Sequence, residues 1–235
     1  MTKAAAVFFL LLASRAADFW RFALSGARFD ARSLREILVW DLRPAALAAA
    51  LWLTAWGLGR RARAALGARG GGTLDEICAA ALGLGLLGQA VFVLGWAGAL
   101  NATALGALAL AAGAAAAGAL PRPRRPASVK WGAPAGISAG LLAFGGACAV
   151  LRALAPATDW DTRAYHLAIP ELYLRAGRAL PLPWLIHSHW PHLMETLYTL
   201  PLAFNADGAA ALLHAGAAAL LVLGVLRAGR AAGGA

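Results

Sequence analysis

Apolar residues in this chain fall in long runs, and short basic, acidic or proline-rich strips divide them. The runs are residues 44–58 (PAALAAALWLTAWGL), 77–98 (ICAAALGLGLLGQAVFVLGWAG), 102–120, 131–155, 190–204 and 209–226. A bilayer core about 30 Å thick takes roughly 20 apolar residues as a helix, and several runs meet or approach that length. A chain in lipid must satisfy its backbone polar groups internally, so each run predicts a helix. The fold class expected is therefore all-α: a polytopic transmembrane helical bundle. Residues 4–13 (AAAVFFLLLA), behind Lys3, are too few for an unaided span and read as a signal-peptide core or a short signal anchor. Residues 15–43 alternate basic and acidic positions, as in RFDARSLREILVWDLR, and predict an interfacial amphipathic segment with Trp20 and Trp40 at headgroup depth.

Composition agrees with the pattern. The 235 residues are 61% hydrophobic and 14% charged, with mean hydropathy +0.66. A net charge of +10 raises the question of nucleic acid. The basic residues, however, sit in clusters between apolar runs, without the aromatic interleaving of an RNA-binding surface, so no nucleic-acid partner is expected. Arg60, Arg61, Arg63 and Arg69 follow the first run, and Arg122, Arg124, Arg125 and Lys130 follow the third. The positive-inside bias puts both clusters on the cytoplasmic side. Two runs separate them, which is consistent, and the fourth run then leads outward. That places residues 156–190 on the extracytoplasmic face. Cys78 and Cys148 lie far apart inside apolar runs and predict neither a disulfide nor a zinc framework. There is no internal repeat.

Candidate chemistry concentrates in residues 152–198. Four of the five histidines (His166, His187, His189, His192) fall there, with Asp159, Asp161, Glu171 and Glu195. Asp161 is expected to N-cap a short helix beginning at Thr162. Pro170 and Glu171 suit the first turn of a second helix, and Gly177 its end. These short helices are expected to lie along the membrane surface, with Tyr165, Leu172 and Tyr173 as anchors. Pro181 and Pro183 force an extended strip, and Pro191 opens the next helix, where His192, Glu195 and Thr199 share one face. A carboxylate in such a helix needs a polar cavity or a partner. Each feature also has a plainer reading. Asp159 and Asp161 could simply cap a helix at the interface. Trp160, Trp184 and Trp190 read as interface-belt residues or as sugar platforms. Arg152 reads as a snorkelling side chain or a phosphate clamp, and His214 as buried packing or a polar group of a cavity. The string HSHWPH holds three imidazoles, but Pro191 interrupts it and no H-E-x-x-H pair is present, so no metal site is predicted from it.

The order of these features resembles the GT-C superfamily of membrane glycosyltransferases, close to the aminoarabinose-transferase and protein O-mannosyltransferase branch (glycosyltransferase family 39-like). The shared features are an outward span, an acidic loop with D-x-x-x-Y, surface helices ending in glycine, a proline-rich strip, then P-x-x-x-E-x-x-Y. Asp161, Tyr165, Gly177, Pro191, Glu195 and Tyr198 carry the pattern, with DWD, YHL and HS-x-x-P as the most telling strings. The resemblance covers about residues 131–226. It departs in having Asp159 two positions before Asp161, where many relatives carry a second acid immediately after the first.

The resemblance implies inverting transfer of a sugar from a polyprenyl-phosphate donor to an acceptor hydroxyl or amine, on the outer side of a bacterial inner membrane. It implies a loop aspartate as general base, Asp161 first and Asp159 second. It further implies substrate contacts from Tyr165, Arg163, His187, Glu195 and Tyr198. A divalent cation at Asp159 and Asp161 is compatible with it, since some members use one and others do not. The partners expected are membrane lipid, the lipid-linked donor and an acceptor whose identity is open. The organisation expected is a signal-like or interfacial segment (1–43), accessory spans (44–130), the transferase-like portion (131–226) and a tail (227–235). Such enzymes carry more helices, so the chain reads as the N-terminal part of a longer protein. The competing readings are a transporter using Glu195 and the histidines as a polar pathway, and a non-catalytic membrane protein.

Overall fold

The computed structural model describes residues 42–68, 70–120 and 133–233, and every described element is helical. The expectations for residues 1–41, including Trp20 and Trp40, and for the basic strip 121–130 fall outside the described residues.

The first helix, α1 (Arg43–Ala65), begins with Pro44 in its first turn, where a missing N–H costs nothing. It runs past the apolar stretch to include Arg60, Arg61 and Arg63. Helix α2 (Thr73–Trp96) starts where the Asp75 carboxylate accepts the Gly72 N–H at 3.1 Å. The Arg60–Glu76 and Arg63–Asp75 ion pairs join these two helices, and Trp56 Nε1 donates to Glu76 Oε2 at 2.7 Å. Two arginines of the first basic cluster are therefore partly neutralised by the start of the next helix. Helix α3 (Ala102–Ala117) is capped by Asn101, whose side chain accepts the Ala104 N–H at 2.9 Å.

Small residues let α1 and α2 pack closely. A Cβ built on Gly83 would sit 1.6 Å from the Ala55 carbonyl oxygen, so no side chain fits at that crossing. The main core joins Leu51 and Ala55 of α1, Leu84, Leu87 and Val91 of α2, Leu105 of α3 and residues from later helices.

Helix α4 (Ala133–Leu154) packs chiefly against the last helix, α7 (Asp207–Gly233). Between them lie a π turn (Thr162–His166), α5 (Ala168–Ala176), a 3-10 turn (Ile186–His189) and α6 (Leu193–Leu202). Gly177 ends α5 at φ +71°, the left-handed conformation expected of a glycine stop. Two backbone hydrogen bonds then tie the segment after α5 to the α2–α3 corner: Leu100 N–H to Gly177 O and Ala179 N–H to Gly95 O, both 2.9 Å. The acidic loop and that corner thus share one end of the bundle.

Among the described residues, two helices are long and apolar enough to cross a membrane, Thr73–Trp96 and Asp207–Gly229. Helix α3 and the apolar stretch Gly140–Leu154 are shorter. The expected span at 190–204 is corrected: α6 holds 10 residues and, at about 1.5 Å per residue, covers only about half a bilayer. The turn chemistry around it explains the shortening. His192 precedes its first residue, and Asn205 closes the following turn at φ +53°.

Candidate functional site

The loop after α4 turns helical at Trp160, and its cap is Asp159 rather than Asp161. Asp159 Oδ1 accepts the Thr162 N–H at 2.9 Å, while Oδ2 accepts from Arg152 Nη2 at 3.0 Å. Asp161 has helical backbone angles and makes no capping bond, which corrects the expectation that it caps Thr162. The cap falls on Asp159 because a carboxylate three residues before the receiving N–H is the one in reach. The Thr162 hydroxyl and N–H, with the Arg152 guanidinium, hold the Asp159 carboxyl below the usual aspartate range.

Asp161, Asp159 and Thr162 line a cleft of about 550 Å³ between the ends of α4 and α7. Arg152 enters it from α4, His166 from the π turn and Tyr198 from α6. Its far wall is one face of α7, carrying Asp207, Ala211, His214, Ala215 and Ala218 at helical spacing. The small alanines leave the volume open. On its floor the Tyr198 hydroxyl lies 2.5 Å from His214 Nδ1. Among the described residues, Asp161 has no hydrogen-bonding partner, so its carboxylate is the uncommitted one of the pair.

The remaining site candidates separate into groups. Tyr165 and His187 stack with ring centres 4.2 Å apart and planes within 1°, and Trp190 meets both edge-on. Burial, then the carboxylates of Asp161, Glu195 and Asp159, push the Tyr165 phenol above its usual range, so it stays protonated. Glu195 lies behind the cleft, its Oε1 2.7 Å from His166 Nδ1 and its Oε2 3.7 Å from His192 Nδ1. Arg163 is exposed and is not among the residues lining the cleft.

A divalent cation at Asp159 and Asp161 would have to compete with the bonds that both Asp159 oxygens make to Arg152 and Thr162. No group of three or more metal-ligating side chains occurs among the described residues. The HSHWPH imidazoles also diverge, with His187 stacked on Tyr165 and His192 Nε2 donating to the His187 carbonyl.

Asp207 was not among the residues the sequence singled out, and His214 was read only as buried packing or a polar group of a cavity; both line the cleft. Asp207 lies 48 positions beyond Asp159, and its only local signal is an acid in the first turn of an apolar helix. The His166–Glu195 pair was signalled only by the need of a helix carboxylate for a partner. No family model, no curated protein and no solved structure matches this chain.

Proposed function

We propose that this chain is a multi-pass membrane glycosyltransferase of the GT-C type, with its catalytic loop in residues 156–190. It moves a sugar from a polyprenyl-phosphate donor to an acceptor hydroxyl or amine. The observation that carries this reading is the cleft holding an uncommitted Asp161 beside the Arg152–Asp159 pair. The acceptor oxygen or nitrogen attacks the anomeric carbon, the bond from that carbon to the phosphate oxygen breaks, and the phosphate leaves with the electron pair. Asp161 takes the acceptor's proton, a role typically worth 10²–10⁴-fold. Three carboxylates (Asp159, Asp161, Asp207) suit the positive charge that develops at an anomeric carbon, and Arg152 is the guanidinium available to the leaving phosphate.

The membrane setting is supported by helix surfaces that expose large apolar side chains. Leu141, Leu142 and Phe144 on α4 and Leu221, Val222 and Val225 on α7 are examples. Lipid would cover them. Trp160, Trp184 and Trp190 are 71%, 73% and 53% exposed, as suits rings lying at headgroup level. In this reading the loop 156–190 faces outward from a bacterial inner membrane.

The test is sugar transfer from a panel of undecaprenyl-phosphate sugars, using the full-length protein in proteoliposomes and following release of undecaprenyl phosphate. Asp161→Asn should lower turnover at least 100-fold with little change in KM. Turnover unchanged in both Asp161→Ala and Asp159→Ala would overturn the reading.

A further inference from the structure

The mechanism above leaves Glu195 and two histidines unused, although they form the most connected polar group behind the cleft. Glu195 sits in the first turn of α6, with its side chain 13% exposed. Its Oε1 meets His166 Nδ1 at 2.7 Å, a hydrogen bond joining two segments 29 residues apart. A carboxylate oxygen only accepts, so His166 Nδ1 carries the hydrogen. Nε2 is then the other polar atom of a ring that lines the cleft and is 33% exposed. On the opposite side, His192 Nε2 faces the His187 carbonyl and must donate to it. Its Nδ1 is buried without a hydrogen bond and lies 3.7 Å from Glu195 Oε2, close enough to pair with that carboxylate if protonated.

The backbone brings His166 and Asp161 to the same wall. The Leu167 N–H bonds the Thr162 carbonyl at 2.9 Å, five residues back, which is the π pattern. In that geometry residues five apart stand one turn apart, so positions 161 and 166 rise from one side of the turn. Both line the cleft.

We propose that His166 is the cleft's second proton-handling residue. Glu195 is a positioning residue that fixes its Nδ1–H form and leaves the Nε2 lone pair facing the cleft. The role assigned to it rests on the transferase reading. Once Asp161 has taken a proton from an acceptor, its O–H bond breaks, an N–H bond forms at His166 Nε2, and Asp161 returns to the carboxylate. The imidazolium, neutralised by Glu195, then passes the proton to water at its exposed edge. The charged and titratable groups that share its cleft are Asp159 and Asp161 from the loop, Arg152 from α4, Tyr198 from α6, and Asp207 and His214 from α7, with Tyr165 against its ring and Glu195 and then His192 behind it. A carboxylate that orients a histidine while its other nitrogen handles a proton is an arrangement used by many acyl-transfer enzymes.

The test is nitrogen NMR of the full chain in lipid nanodiscs, with ¹⁵N-labelled histidine. Signals are assigned by their loss in His166→Asn and His192→Asn. Above pH 8, His166 should show a protonated Nδ1 and a bare Nε2, the reverse of free imidazole's usual preference, and His192 a protonated Nε2. In Glu195→Leu nothing at this position accepts from Nδ1, so His166 should revert to its Nε2–H form, while Glu195→Gln, whose side-chain oxygen can still accept, and Glu195→Asp should retain Nδ1–H. A protonated Nε2 on His166 in the unmodified protein, or a tautomer unmoved by Glu195→Leu, overturns the proposal. If Glu195→Leu does not fold, the spectrum of the unmodified protein decides alone. These spectra need no substrate, so a failure to detect sugar transfer would count against the transferase reading and not against the tautomer. Where transfer is detected, His166→Gln should lower kcat 10- to 100-fold at unchanged KM, and added imidazole should recover part of it.

Discussion

The Tyr198 hydroxyl lies 2.5 Å from His214 Nδ1, which joins α6 to α7 at the floor of the cleft. Tyr198 is 4% exposed and His214 is exposed along the cleft. Tyr198→Phe removes this bond while keeping the ring, and should cost about 0.5–1.5 kcal/mol. Tyr198→Ala also leaves a cavity and should cost about 3–5 kcal/mol. Urea or thermal unfolding of the detergent-solubilised protein measures both, and equal losses in the two variants would contradict this account.

Asp159 anchors the loop through a charge, so its effect depends on pH. Its carboxyl is depressed by Thr162 and Arg152, and a depressed acid stabilises the folded loop above its ordinary value of 3.8. That contribution fades as pH falls through the depressed folded value. Asp159→Ala should therefore speed hydrogen exchange at the Thr162 amide at neutral pH. The difference from the unmodified chain should shrink under acid. Asp159→Asn, which keeps a capping oxygen, should fall between them.

Gly83 stands where α2 crosses the Ala55 carbonyl, and a Cβ there would approach it to 1.6 Å. Backbone cannot yield as a flexible side chain can, so Gly83→Ala should cost about 1–3 kcal/mol and Gly83→Val more. Gly85, one turn's fraction away, meets nothing within 4 Å. Gly85→Ala should be neutral or stabilising, because it restores helix propensity. Unfolding midpoints for the three variants check the contrast.

Gly177 ends α5 at φ +71° with open space around it. Gly177→Ala should cost about 1–2 kcal/mol from backbone strain alone. Gly177→Asn should recover part of that, since asparagine tolerates the left-handed region. Loosening this stop should also disturb the Leu100–Gly177 and Gly95–Ala179 hydrogen bonds, visible as faster exchange at Leu100 and Ala179.

The sidedness of the loop can be measured through Trp184, which is 73% exposed. A Trp184→Cys variant, with Cys78 and Cys148 replaced by serine, should react with a membrane-impermeant maleimide added to intact spheroplasts. Labelling that appears only after lysis would place residues 156–190 on the cytoplasmic side.

Hydrophobic runs and turn residues marked most of the described helices. Gly177 is a local signal, read from its own neighbours, and the structure uses it as the expected helix stop. The limits lay where local signals compete. DWDT offers two aspartates to one cap, and only the backbone path decides that Asp159 reaches Thr162. The apolar stretch 190–204 has the composition of a span, but the turns on either side hold α6 to Leu193–Leu202.

Amino-acid order by itself determined the all-helical class of the described residues, two stretches able to cross a membrane, and the window in which ionisable side chains gather. These follow from hydropathy, glycine and proline, whose effects act within a few residues. Tertiary structure decided which carboxylate is tied to Arg152, which is left to the cleft, and that His166 meets Glu195 across 29 positions. Hydrogen bonds need partners within about 3 Å, and only the packing of the loop onto α6 and α7 brings side chains so distant in sequence to that range.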